Sequence, residues 1–197
     1  IDHARNHIER TYKRPWFDRT LRNILSFVLP STKLFRLMAL MVKIVKPFSF
    51  MMPDKIKNMI SLMPSSFPKQ SLKTKNIYKP KNKVVARVIL LTGCVQKVIS
   101  PQINDSTINI LNRHGVEVYV AKEAGCCGSL NHHLGKENLA KQSFIKNINA
   151  WYDICQKKPI DAILVNTSGC GTTLKDYGFI FENHFDKELS KKAKFIS

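Results

Sequence analysis

The residues in this sequence best suited to metal or redox chemistry are its five cysteines. Cys126 and Cys127 are adjacent, and disulfide geometry resists closure between neighbouring residues. An odd number of cysteines also argues against a framework made only of disulfides. Thiolates are soft ligands that select iron–sulfur clusters or zinc over magnesium or calcium. The pattern therefore predicts a soft-metal site in a reducing compartment such as the cytosol.

Glycines flank the cysteines that we assign to this site. The metal ligands are predicted to be Cys94, Cys126, Cys127 and Cys170, and the flanking glycines are Gly93, Gly128, Gly169 and Gly171. Glycine allows the backbone to turn sharply and to approach a bulky group closely. We expect these four glycines to shape the loops around a cluster.

The second part of the chain, residues 84–197, alternates predicted strands with predicted helices. This alternation is typical of an α/β fold, a Rossmann-like and mostly parallel sheet with flanking helices. Pro101 is expected to open one helix, and Gly115 is expected to follow its end. The predicted strands cover residues 84–92, 116–121 and 160–166, a long helix covers 136–156, and a last helix contains Leu174, Tyr177 and Phe181.

Each assigned cysteine position follows one of the three predicted strands. Because the carboxyl ends of parallel strands meet at one edge of a sheet, thiols far apart in sequence are expected to converge there. Cys155 is different, since it continues the helical stripe of Phe144, Ile148 and Trp151. It is interpreted as a core side chain and excluded from the site.

The first part of the chain, residues 1–83, is predicted to be a basic helical connector that ends in a Pro- and Lys-rich linker. It holds 18 Lys and Arg against 4 Asp and Glu, whereas residues 84–197 hold 14 against 10. Helices are predicted at residues 16–28 and from Ser31 or Thr32 to Val45, with a short one at 54–62 inside a linker of residues 53–83. The domain boundary is placed near Lys83.

The charge of the connector predicts an anionic partner: nucleic acid, an acidic membrane surface or an acidic protein. Its aromatic residues are spaced as in a protein core, so nucleic-acid binding is not expected. The helix that ends at Val45 is apolar nearly all round but too short to span a bilayer. It is expected either to pack on protein or to lie on a membrane. The chain begins at Ile1 and its last residues start an apolar pattern, so we expect a fragment with a truncated C-terminal domain.

Three segments carry a resemblance to a known family. They read TGCVQ at residues 92–96, GCCGSLNHHLG at 125–135 and SGCGTTLKDYG at 168–178, with NINAW at 147–151 fitting the same pattern. The chain resembles the cysteine-rich CCG domain of glycolate oxidase iron–sulfur subunits, and residues 1–83 resemble the connector of those subunits. Related CCG proteins include heterodisulfide reductase subunits and lactate-utilisation proteins.

The resemblance implies an electron-transfer subunit of a flavin-dependent glycolate dehydrogenase. Electrons from glycolate oxidation on a partner flavin subunit, which holds FAD, would pass through iron–sulfur centres toward the quinone pool. A further subunit would complete the complex, which is expected to be cytoplasmic and peripherally associated with the inner membrane. The wider family often ends its motif in CxxC, but Cys170 is followed by Gly171, Thr172 and Thr173. Four cysteines imply a [4Fe–4S] cluster rather than a five-cysteine arrangement.

Two alternatives stay open at this point. One is a zinc-stabilised CCG interaction module without a redox role, and the other is an iron–sulfur subunit of a related lactate dehydrogenase complex. His132 and His133 are interpreted either as groups that ligate or relay protons, or as hydrogen-bonded residues around the site or at the surface. Asp176 is expected to cap or orient the helix after Cys170.

Overall fold

The computed structural model describes residues 2–64 and 75–197. Its centre is a four-stranded sheet with the strand order β1-β3-β2-β4. β2 pairs in parallel with both β3 and β4, and β1 pairs antiparallel with β3. The strands are β1 (Ile77–Tyr78), β2 (Ala86–Leu91), β3 (Val116–Tyr119) and β4 (Ala162–Val165). The predicted α/β class with a mostly parallel sheet is confirmed.

Within residues 2–64, four helices and a 3₁₀ helix precede the sheet. Ser31 is the N-cap of the third helix, as predicted, and its side chain accepts a hydrogen bond from the Leu34 amide. In the part of the chain that the structure describes, no helix is both long and apolar enough to cross a membrane. These elements are α1 (Asp2–Thr11), α2 (Trp16–Val28), α3 (Thr32–Val45), the 3₁₀ helix (Lys46–Met51) and α4 (Asp54–Ser61).

Seven helices lie between and after the strands. Pro101 stands at the first position of α6, as the sequence predicted. Gly115 follows that helix with a φ of +79°, and a Cβ there would stand 2.8 Å from the Lys83 carbonyl oxygen. The helices are α5 (Gln96–Ile99), α6 (Pro101–Arg113), α7 (Ser129–His133), α8 (Glu137–Lys157), α9 (Ser168–Lys175), α10 (Tyr177–Ile180) and α11 (Lys187–Ile196).

Both faces of the sheet are covered by apolar side chains, which explains the nearly continuous apolar run of β2. Ile89 and Leu91 belong to a core cluster that contains Phe144, Trp151 and Tyr177. On the opposite face, the alternate positions Val88 and Leu90 join Val118 of β3 and Ile108 of α6. The alternation follows from the two-residue period of a strand.

The structure differs from the sequence prediction in several elements, among them the 3₁₀ helix, α5 and α7, which were not predicted. α1 was not predicted, and β1 lies inside the segment that was predicted to be linker. The predicted last helix divides at Asp176 into α9 and α10. The final residues belong to a helix that was not predicted, α11. The Asp186 side chain accepts hydrogen bonds from the amides of Glu188 and Leu189 at its start, and its apolar side packs into the core. Residues 65–74 of the predicted linker lie outside the described residues.

Candidate metal centre

The structure brings the three cysteine-bearing segments together at the carboxyl ends of the parallel strands. Cys94 follows β2, the Cys126–Cys127 pair follows β3, and Cys170 lies in the first turn of α9 after β4. All four cysteines belong to or pack against the same core cluster. This is the edge at which open α/β sheets bind ligands.

The four thiols lie in two pairs that join different loops. The Cys94 Sγ is 3.4 Å from the Cys126 Sγ, and the Cys127 Sγ is 2.9 Å from the Cys170 Sγ. Cys126 and Cys127 are buried, whereas Cys94 and Cys170 are half-buried. Cys155 lies on α8 and packs at the margin of the core, and both sulfur contacts are made by the other four cysteines.

Hydrogen bonds and burial shift the pKa of each thiol. Donation to Cys126, together with burial, raises the pKa of Cys94 far above its usual range. A hydrogen bond with Cys127 is the main cause that raises the pKa of Cys126 to about 11. For Cys127, the bond with Cys126 lowers the pKa, but donation to Cys170 and burial outweigh it and raise the pKa to about 12. The pKa of Cys170 is lowered because it accepts from Cys127.

The loop that carries Cys126 and Cys127 is fixed by two buried polar side chains, Asn147 and Tyr177. The Asn147 side chain accepts from the Gly125 amide at 2.9 Å and donates to the Cys126 carbonyl at 2.9 Å. The Tyr177 hydroxyl donates to the Cys127 carbonyl at 2.7 Å, and Asn147 also donates to that hydroxyl at 3.3 Å. Both side chains are fully buried, so these bonds are shielded from water.

Sequence reasoning treated Asn147 only as part of a resemblance, and it treated Tyr177 as part of the same resemblance and as an apolar helical position. The sequence does contain a signal for Asn147: it is a polar residue next to Ile148, on the otherwise apolar face of α8. A buried amide on such a stripe needs partners, because an unpaired buried polar group costs about 1–3 kcal/mol. The partners are the peptide groups of the cysteine loop.

Hydroxyl and amide groups also connect the loops to one another. Ser129 donates to the Gly169 carbonyl at 3.0 Å, and Thr173 donates to the Ser129 hydroxyl at 2.9 Å. These bonds tie the Cys126–Cys127 loop to the helix that carries Cys170. At the ends of β2 and β4, a second set joins Gln96, Asn104, Asn166 and Thr167.

The four flanking glycines differ in what they do. Gly93 and Gly128 have φ angles of +69° and +81°, the left-handed region that favours glycine. A Cβ on Gly128 would overlap the Phe144 ring. Gly169 and Gly171 instead lie within α9, and a Cβ on either would meet nothing within 4 Å. The sharp turn expected at all four glycines occurs at two of them.

His132, His133 and Asp176 lie toward α1 rather than in the sulfur pairs. His132 and Asp176 line a cleft of about 620 Å³ between α1, α8 and α10. The His132 ring packs against Phe144, with ring centroids 5.7 Å apart, and the Arg5 guanidinium hydrogen-bonds the His133 Nδ1 at 2.7 Å. Asp176 stands at the junction of α9 and α10, but no side-chain bond from it caps α10.

The donor chemistry of the four thiols fits a soft-metal group. Thiolates are the common ligands of iron–sulfur clusters and of structural zinc. The N-terminus of α9 beside Cys170 favours negative charge, which a thiolate-ligated cluster carries. Within residues 2–64 and 75–197 no group of three or more His, Cys, Asp or Glu side chains is arranged to hold one metal ion. The sulfurs fit by their chemistry and convergence, as two pairs rather than as one tetrahedral group.

Residues 88–175 match the family model described as CCG: Cysteine-rich domain. The matched segment contains all four cysteines of the centre. Residues 88–175 therefore carry a CCG cysteine-rich domain.

Comparison with curated proteins finds similar chains that are named as glycolate oxidase iron-sulfur subunits. Over 197 residues the chain is 32% identical to the glycolate oxidase iron-sulfur subunit of Escherichia coli (strain K12), covering 100% of this chain and 45% of that protein. It is 26% identical over 143 residues to the probable glycolate oxidase iron-sulfur subunit of Bacillus subtilis (strain 168), covering 72% of this chain and 31% of the relative.

A third relative is lactate utilization protein A of Geobacillus kaustophilus (strain HTA426). It is 26% identical over 108 residues, which cover 55% of this chain and 42% of that protein. Each match thus covers less than half of the relative's length. No solved structure matches it.

Proposed function

We propose that this chain is part of an iron–sulfur subunit that relays electrons from glycolate oxidation toward a membrane quinone. The observation that carries the proposal is the convergence of four thiols from three loops of a CCG domain, at the ligand-binding edge of the sheet. The names of the Escherichia coli and Bacillus subtilis relatives support glycolate as the electron source. Oxidation itself would take place on a partner flavin subunit that holds FAD, with a further subunit in the complex.

Cys94, Cys126, Cys127 and Cys170 would hold the cofactor, which we propose to be a [4Fe–4S] cluster. When bound, such a cluster accepts and gives up single electrons at a potential that its protein surroundings set. Binding requires all four thiols to be deprotonated, so it would release the protons now shared within the two sulfur pairs.

The surrounding residues would hold this site rigid and dry. Asn147 and Tyr177 fix the peptide groups of the Cys126–Cys127 loop, and Ser129 ties that loop to α9. Burial of both adjacent cysteines excludes water, which strengthens the influence of nearby dipoles on a bound charge. Outer hydrogen bonds of this kind orient the ligands of metal sites and tune them.

We further propose that the complex is cytoplasmic and peripherally bound to the inner membrane. A quinone dissolved in the bilayer is reached only from the membrane surface, so a relay to quinone needs such a location. The basic connector supplies charge of the sign that attracts the negatively charged cytoplasmic leaflet.

Anaerobic mixing of the intact complex with glycolate tests the electron-relay proposal. Glycolate is expected to bleach the visible absorption of the iron–sulfur centres, because electrons leave the flavin subunit for those centres. L-lactate, measured in parallel, distinguishes a glycolate dehydrogenase from a related lactate enzyme. The proposed electron source would be contradicted if glycolate left the absorption of the iron–sulfur centres unchanged while dithionite bleached it.

A further inference from the structure

α3 has one face that packs against the cysteine domain. Phe35 and Ala39 on this face are 2% and 1% exposed. They form a core cluster with Val98, and Val95 and Ile99 pack against that cluster. Val95, Val98 and Ile99 lie within five residues after Cys94 in the chain, so α3 lies on the outside of the Cys94 loop.

The opposite face of α3 is apolar and exposed. Leu37, Leu40, Met41 and Ile44 follow the spacing of three, one and three residues that places side chains on one side of a helix. Their exposed fractions are 60%, 51%, 56% and 67%. The 3₁₀ helix that follows adds Phe48, Phe50 and Met51, which are 60%, 73% and 76% exposed. We call these seven residues the apolar stripe.

Positive charge accompanies the apolar stripe and negative charge is missing from its segment. Residues 31–52 contain Lys33, Arg36, Lys43 and Lys46 but no Asp or Glu. Arg36 and Lys43 are seven residues apart and therefore share one edge of the stripe, while Lys33 precedes Leu37 by one turn. Lys33, Arg36 and Lys43 are exposed, and Lys46 donates to the Met63 carbonyl.

We propose that the apolar stripe docks on an anionic lipid bilayer, with α3 lying in the plane of the membrane surface. Lys33, Arg36 and Lys43 would reach the headgroups while the stripe enters the boundary of the acyl chains, the arrangement of interfacial helices. α3 has 14 residues, so at about 1.5 Å per residue it is too short to span the hydrocarbon core. The absence of acidic residues from the segment suits anionic headgroups.

The docking would place the cysteine centre close to the bilayer. One helix, about 10 Å in diameter, would separate the lipid surface from the Cys94 loop. The inference rests on the proposed function for its purpose, which is electron delivery to an acceptor in the membrane. Vesicle binding nevertheless needs no redox step, so it can be tested separately.

The test is co-sedimentation of the intact complex with vesicles of phosphatidylglycerol and phosphatidylcholine, and with vesicles of phosphatidylcholine alone. Binding is expected to be stronger on the anionic vesicles and to weaken with salt. Neutralising charge in the triple variant Lys33→Gln/Arg36→Gln/Lys43→Gln should weaken binding to anionic vesicles about fivefold per residue. The double variant Leu37→Ser/Met41→Ser should weaken binding about tenfold or more on these vesicles.

Matched controls change exposed residues elsewhere. Ile110→Ser replaces an apolar side chain that is 61% exposed on α6, and Lys146→Gln/Lys157→Gln/Lys158→Gln removes three exposed charges outside the basic connector. Both controls should bind vesicles almost as the unchanged complex does. The inference would be overturned if the controls lost as much vesicle binding as the charge and stripe variants, or if the complex bound both vesicle types equally. It would also be overturned if the complex bound neither type, which would indicate that protein covers the stripe.

Bleaching by glycolate separates the two proposals. The stripe variants should bleach like the unchanged complex while losing vesicle binding, because the stripe lies outside the cysteine centre. Normal vesicle binding with no bleaching would mean that the proposed electron source is wrong and the docking surface is right.

Discussion

Gly128→Ala is expected to lower the free energy of unfolding of the intact subunit by about 3 kcal/mol. Gly128 has a φ of +81°, a conformation that costs a residue with a Cβ about 1–2 kcal/mol. The added Cβ would also overlap the Phe144 ring, and it would stand 3.1 Å from the Ala140 carbonyl oxygen. Because Phe144 is fully buried, the ring cannot move aside without disturbing the core. The change should be visible as an earlier midpoint in denaturant unfolding.

Gly171→Ala is the matched control for this prediction. Gly171 also neighbours a cysteine of the centre, but it lies inside α9 and an added Cβ would meet nothing within 4 Å. Replacing glycine by alanine in a helix at an unstrained position stabilises by about 0.4–1 kcal/mol. A similar loss of stability in Gly128→Ala and Gly171→Ala would contradict the distinct backbone roles assigned to these glycines.

Asn147→Leu should destabilise the subunit by about 3 kcal/mol and loosen the Cys126–Cys127 loop. Leucine has a similar volume but cannot pair with the Gly125 amide or the Cys126 carbonyl, so the half-buried amide and the buried carbonyl would both lose their partner. The Tyr177 hydroxyl would lose one of its two bonds. We expect a lower unfolding midpoint and faster loss of iron to a chelator.

Asn149→Leu controls for the loss of an asparagine from α8. Asn149 lies two residues further along the same helix and is exposed, so its replacement should change the unfolding free energy by no more than about 0.5 kcal/mol. The account of the buried amide would be wrong if Asn147→Leu released iron to a chelator no faster than Asn149→Leu.

The sheet and the convergence of cysteines were predictable because both depend on local pattern. The apolar run of β2, the proline that opens α6 and the glycine after it each have a direct physical meaning. Given parallel strands, the position of a cysteine after a strand was enough to place it at the shared edge. The sequence could therefore bring residues as distant as Cys94 and Cys170 to one site.

Features that depend on tertiary contact were missed. β1 has two residues and forms because it pairs with β3, so its sequence contains no alternating pattern from which a strand could be predicted. The hydrogen bonds of Asn147 and Tyr177 join segments that only the fold brings together. Gly169 and Gly171 looked equivalent to Gly93 and Gly128 because a sequence does not reveal which glycines have a positive φ.

Metal analysis with low-temperature EPR of the intact subunit tests the central claim, that these cysteines hold an iron–sulfur cluster. Cys127→Ser is compared with Cys155→Ser, each purified without oxygen, because both remove one thiol but only Cys127 lies in a sulfur pair. We predict that Cys155→Ser keeps the full iron content, whereas Cys127→Ser loses about four iron atoms and the EPR signal of one cluster. An iron content that Cys127→Ser leaves unchanged would contradict the account. So would stoichiometric zinc in the unchanged subunit that Cys127→Ser removes and Cys155→Ser keeps.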